Sequence, residues 1–230
     1  MIHPGRSATI WITASILLLV FLFQSYSASR LKSPAFDEPF LIPSGLSYVQ
    51  TGTIRLYMQH PPLLQELAGL SLVLSGIRWP NTAQASQMLK GSGEPEWHLG
   101  NSIIAENGAD QVLFWSRLPF IFVSALGGLV LFLFGRELLG DVAALGALFL
   151  YALDPTIMAY SFLAITDVGL AVFGLLFLWA LWSYLRRPGW ARLILAGAAL
   201  GLALCTKFSA IFLIPVGGLL SLAALRWRCS

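Results

Sequence analysis

Long apolar runs alternate with short polar breaks along the chain, and the length of the runs sets the first constraint. A hydrocarbon core about 30 Å thick is crossed by about 20 helical residues. Six runs reach or approach that length: Thr9 to Tyr26, Val112 to Phe134, Val142 to Tyr160, Val168 to Leu185, Leu193 to Cys205 and Phe208 to Leu225. The pattern predicts an all-α multi-pass membrane protein with about six transmembrane helices. Residues 1–27 form the first span, residues 28–111 an outer loop, and residues 112–230 spans two to six. The fifth run is short and rich in Gly and Ala, which suits a helix packed closely on its neighbours. Arg6 before the first run and Ser27-Ala28-Ser29 after it also fit a cleaved secretory signal, but the run is long enough to stay as a signal anchor.

The loop between the first two spans carries its own periodicity. His60-Pro61-Pro62 leads into Leu63, Leu64, Leu67, Leu70, Val73, Leu74 and Ile77, an apolar stripe at helical spacing opened by proline. It is too short to span, so the spacing predicts a helix lying along the membrane surface. Asn81 to Lys90 predicts a second short helix, and Gly91-Ser92-Gly93 with Glu94-Pro95 a turn. Asp110 reads as the N-cap of the second span.

Composition narrows the class further. The 230 residues are 57% hydrophobic and 11% charged, against about 45–50% and about 25% in soluble domains. A water-soluble globule, a disordered chain and a disulfide scaffold are excluded. The net charge of +3 would point to nucleic acid if the bases were clustered, but their positions mark membrane sides instead. Short cytoplasmic loops collect Lys and Arg. With the N-terminus inside, Arg6, Arg136, Arg186, Arg187, Arg192, Arg226 and Arg228 lie inside, and nine of the 11 acidic residues lie outside. No nucleic-acid partner is expected. Cys205 and Cys229 fall on opposite sides, so no disulfide between them is expected.

Candidate chemistry is confined to a few polar residues. Asp37 and Glu38 are adjacent near the outer end of the first span. Two acids side by side repel unless a cation or donor compensates, which suits a general base or a metal ligand, and equally a solvated loop pair. Asp154 and Asp167 bracket the turn between the third and fourth spans. Each fits a helix cap or terminator as well as a functional acid, because charge inside hydrocarbon is costly. Lys207 breaks the charge rule of the outer turns. It suits either a bound phosphate or snorkelling to lipid headgroups. Arg117 and Arg55 are weaker candidates of the same kind, and His60 fits a structural role or a ligand. No Walker loop, G-x-S-x-G or C-x-x-C motif is present.

Taken together, Phe36-Asp37-Glu38-Pro39, Ser44-Gly45-Leu46-Ser47-Tyr48, Thr51-Gly52 and His60-Pro61-Pro62-Leu63-Leu64 resemble the first outer loop of the GT-C glycosyltransferases. The pattern is most similar to the protein O-mannosyltransferase and aminoarabinose-transferase group, including the family 39 and family 83 bacterial enzymes. Phe114-Trp115-Ser116-Arg117-Leu118-Pro119, Leu153-Asp154-Pro155 with Thr166-Asp167, and Thr206-Lys207-Phe208-Ser209 follow in family order. The resemblance spans about Phe36 to Ile214.

It implies a GT-C-like N-terminal module in the cell membrane that takes a sugar from a polyprenyl-phosphate donor at the outer face. The sugar passes, with inversion, to a hydroxyl on a protein, lipid or glycan acceptor. By the same resemblance Asp37 is the catalytic base, and Glu38 orients the acceptor or a divalent metal. His60, Asp154 and Asp167 shape the substrate site, while Lys207 with Arg117 neutralises the leaving phosphate. The helix after His60 would line the groove for the lipid tail. No cofactor is required by these residues, and a divalent metal on Asp37 and Glu38 stays open. Family members are usually longer, and the resemblance covers their N-terminal half, so the chain reads as a truncated product, a fragment or a minimal member. The competing classes are a transporter or flippase, with Asp154, Asp167 and Lys207 as its path, and an inactive membrane scaffold.

Overall fold

A computed structural model describes residues 4–52, 54, 56–77, 79 and 95–229. These residues fold into α-helices joined by turns, with no strand among them. The spans come first. Helix α1 (Pro4–Leu31) carries an apolar stretch at Ala8–Leu31, and it is followed later by α5 (Ala109–Leu139) and α8 (Thr166–Arg186). A 3₁₀ turn (Phe208–Phe212) runs directly into α10 (Leu213–Cys229) to complete a fourth long apolar stretch. Ile12, Ile16, Leu19, Phe23, Ile194, Leu219 and Leu222 stand exposed on these and neighbouring helices, an apolar surface suited to lipid. The chain is an all-α membrane protein.

Two predicted spans are shorter than the pattern suggested. The third, expected to run from Val142 to Tyr160, is α6 (Asp141–Leu153), then a break, then α7 (Pro155–Tyr160). The break lies at Asp154, whose extended backbone (ψ 124°) is what a following proline enforces. At 1.5 Å per residue, α6 is about 20 Å long, short of a full hydrocarbon crossing. The fifth run is α9 (Trp190–Leu204), which packs along α8 and buries only Ala196, Ala199 and Ala203. These alanines permit the close approach that small residues were expected to give.

The loop between the first two spans is folded. It contains α2 (Glu38–Thr51), α3 (Leu63–Leu74) and α4 (Pro95–Asn107). The expected helix after His60 is α3, but its apolar stripe is largely internal. Leu64, Ala68 and Leu72 are fully buried, the first two against α5, α8 and α9 and the third in a core shared with α2 and α4. Helices α2 and α4 had no periodic signal. Pro43 and Gly45, inside α2, lower its helix propensity. It forms because Leu41, Ile42 and Leu46 are buried on its neighbours. The crossing of α2 over α3 is glycine on glycine: a Cβ on Gly45 would overlap the Gln65 carbonyl oxygen, and one on Gly69 would overlap that of Gly45.

Two capping expectations are corrected. Helix α5 starts at Ala109 after Gly108, so Asp110 sits in the first turn and is not the N-cap. Ile165 occupies the cap position of α8 and Asp167 is again in the first turn, free to use its carboxylate elsewhere. The segments expected at Asn81 to Lys90 and at Gly91 to Glu94 lie outside the described residues.

Candidate active site

The singled-out polar residues sort into three places. Asp37, His60, Asp167 and Lys207, from four separate segments, line one cavity of about 130 Å³ together with Leu41, Tyr57, Ala164, Ile165 and Thr166. Asp37 occupies the N-cap position of α2 but makes no side-chain cap bond. Its carboxylate is exposed and remains available to the cavity. Lys207 follows the end of α9 in extended conformation, and its Nζ donates to Asp167 Oδ1 at 2.6 Å. The Leu63 amide donates to the Cys205 carbonyl at 3.2 Å, which ties the Lys207 turn to the start of α3 beside His60. The side chains of the ion pair are 25% and 60% exposed. A pair so open is worth about 0–1 kcal/mol, so an arriving anion can compete for the ammonium.

The imidazole of His60 is held below its ordinary value, first by burial and then by the positive charge of Lys207, with Asp167 and Asp37 opposing. Its Nδ1 is buried and has no hydrogen-bond partner among the described residues, an uncommon state for a polar atom. Tyr57 completes the wall. It stacks on Phe40 at 5.5 Å between ring centroids and meets His60 edge-on at 5.6 Å. Its φ of +48° is left-handed, a strained conformation for a bulky residue. Burial, with the charges of Asp37 and Asp167, raises the Tyr57 phenol above 10.0. Tyr57 carries no sequence signal, because a backbone angle leaves no trace in composition.

Glu38 and Arg117 lie behind the cavity and bind each other. Both are fully buried. Arg117 Nε donates to Glu38 Oε1 at 2.8 Å and Nη2 to Oε2 at 2.7 Å, a two-pronged fork. The other guanidinium N–H groups donate to the carbonyls of Ser29, Lys32 and Ser33, each at 2.8 Å. All five donors are thereby used, so Arg117 has none left for a phosphate. Glu38 also accepts from the amides of Ala35 (2.8 Å) and Ala164 (3.2 Å). Its oxygens are saturated, so a metal shared between Asp37 and Glu38 does not fit this arrangement. Among the described residues no group of three or more His, Cys, Asp and Glu is placed to hold a metal ion.

Asp154 is third. Its Oδ1 accepts from the Ile157 amide at 2.8 Å, capping α7, and it does not line the cavity. Arg55 lies outside the described residues. A larger apolar cavity, about 400 Å³, runs between α5, α6, α7 and α8, lined by Leu131, Tyr151, Ile157, Ala171 and Val172 among others. Asp167 borders both cavities. Helix α3, expected to line a lipid groove, contributes nothing to this one.

Residues 104–229 match the family model described as dolichyl-phosphate-mannose-protein mannosyltransferase. No curated protein and no solved structure matches the chain.

Proposed function

The chain belongs to the dolichyl-phosphate-mannose-protein mannosyltransferase family, of GT-C type, and we propose that it transfers a sugar from a polyprenyl-phosphate donor to an acceptor hydroxyl, with inversion, at the outer membrane face. The observation that carries this reading is the polar cavity, in which a free carboxylate, an ammonium and a neutral imidazole face the same space. Asp37 takes the proton of the acceptor hydroxyl as its oxygen attacks the anomeric carbon. The bond from that carbon to the phosphate oxygen breaks, and its electron pair leaves with the lipid phosphate. Lys207, turned from Asp167 toward the phosphate, neutralises the charge that develops there.

Asp167 holds the ammonium in place before the donor arrives. The isoprenoid chain fits the apolar cavity that borders Asp167, so the phosphate would enter beside Lys207 while the tail stays among apolar side chains. Glu38 and Arg117 act by position. The guanidinium gathers three carbonyls of the segment leading to Asp37, and Glu38 fixes the start of α2. This assignment replaces the phosphate role first expected of Arg117 and the acceptor role of Glu38. The outer face is supported by the arginines at the opposite end, Arg136, Arg186, Arg187 and Arg192, since short cytoplasmic loops collect Lys and Arg.

The test uses membranes carrying the chain, a polyprenyl-phosphate sugar labelled in the sugar, and an acceptor mixture. Asp37→Asn is expected to lower turnover by about 100-fold or more while donor binding survives. Undiminished turnover in that variant would remove Asp37 from the base role, and no transfer by the unaltered chain would overturn the transferase reading.

A further inference from the structure

The opposite end of the bundle carries a second polar cavity. It measures about 280 Å³ and is lined by Glu137, Trp182, Ser183, Arg186, Arg187 and Arg192. Asp167 and Arg186 stand near the two ends of α8, about 30 Å apart at 1.5 Å per residue. This cavity is therefore on the other side of the membrane from the candidate active site, and none of its residues enters the proposed reaction.

Its walls are organised for an anion. Arg186 lies over the Trp182 ring at 4.7 Å, a cation–π contact. Arg187 closes α8, where a cation is favoured by the helix dipole. Arg192 reaches back across the Pro188-Gly189 turn, and its Nη1 donates to the Arg187 carbonyl at 2.9 Å. Three guanidiniums thus surround the cavity against one carboxylate, Glu137. The other acid at this end, Asp141, is already paired with Arg136. Guanidinium forks match the oxygen spacing of phosphate, and basic pockets between membrane helices take phospholipid headgroups.

We propose that this cavity is a binding site for a phosphate-bearing anion, a phosphodiester lipid headgroup or free phosphate, held chiefly by Arg187 and Arg192. The test is native mass spectrometry of the full chain in detergent micelles, titrated with phosphatidylglycerol, with phosphatidylcholine as the zwitterionic reference. The unaltered chain is expected to prefer phosphatidylglycerol by about tenfold, and Arg187→Gln/Arg192→Gln to lose that preference. Glu137→Gln, which removes the opposing charge, is expected to strengthen binding, and it decides the matter if the double variant does not fold. Inorganic phosphate added in millimolar excess separates the sources: displacement of the lipid assigns the site to phosphate itself, and retention assigns it to the headgroup. Equal affinity for the two lipids with no effect of phosphate, full preference retained in the double variant, or unchanged affinity in Glu137→Gln overturns the proposal.

Discussion

His60 sits between charges of both signs, Lys207 on one side and Asp37 and Asp167 on the other, and burial decides the balance in favour of the neutral ring. Its titration midpoint, followed by NMR of labelled histidine in detergent, is expected below the ordinary value of 6.5. Lys207→Gln should move it upward, since burial alone then opposes the two carboxylates. The sign for stability follows by linkage. As pH falls from 6.5 toward the lowered midpoint, the unfolded chain takes up a proton that the folded chain does not. Stability contributed by neutral His60 is thus complete above pH 6.5 and declines across that window. A midpoint at or above 6.5 in the unaltered protein would contradict the burial argument. At this scale the sequence was informative where charge is rare: Asp37, His60, Asp167 and Lys207 stood out as polar exceptions, and the fold brings them to one cavity. It was silent where conformation decides, as with the left-handed Tyr57, and where partners are 79 residues apart, as with Glu38 and Arg117.

Helix against helix, the close crossings rest on glycine. A Cβ on Gly45 would meet the backbone of Gln65 and Gly69, and one on Gly69 the backbone of Gly45, so a methyl group on either has backbone, not a movable side chain, in its way. Gly45→Ala is expected to force α2 from α3 and to cost about 1–3 kcal/mol, as overpacking does. Gly146→Ala on α6 is the control, because a Cβ there meets nothing within 4 Å and alanine is the better helix former by about 1 kcal/mol. Thermal unfolding of the two variants side by side checks this; equal midpoints would show that α2 and α3 can separate freely. The same crossing explains what was legible. The spans and α3 declared themselves by apolar periodicity, which is a local signal. Helices α2 and α4 did not, because Pro43, Gly45 and Gly100 are poor helix formers locally and are selected by contact: Gly100 lies where a Cβ would overlap the Pro39 carbonyl. The break at Asp154 was visible as a proline, but the apolar run on both sides of it made one long span the simpler reading.

Across the whole molecule, one buried ion pair ties together segments that lie far apart in the chain. Arg117 comes from α5 and Glu38 from the start of α2; the carbonyls come from the end of α1 and the linker after it, and the Ala164 amide from the turn before α8. A desolvated pair is weak evidence for stability when it can be replaced whole, but removing one partner leaves a bare charge inside and costs about 3–5 kcal/mol. Arg117→Ala and Glu38→Ala are each expected to show a loss of that size in thermal or denaturant unfolding. The double variant should lose less than the sum, since neither charge is then stranded. Arg117→Lys should rescue little, because an ammonium has three donors where five are used. The linkage also predicts a functional effect distinct from instability: at temperatures where the variants remain folded, turnover should fall because Asp37 follows directly on the segment that Arg117 holds. An Arg117→Ala protein that unfolds within about 1 kcal/mol of the unaltered chain would show that the helices keep their places without the pair.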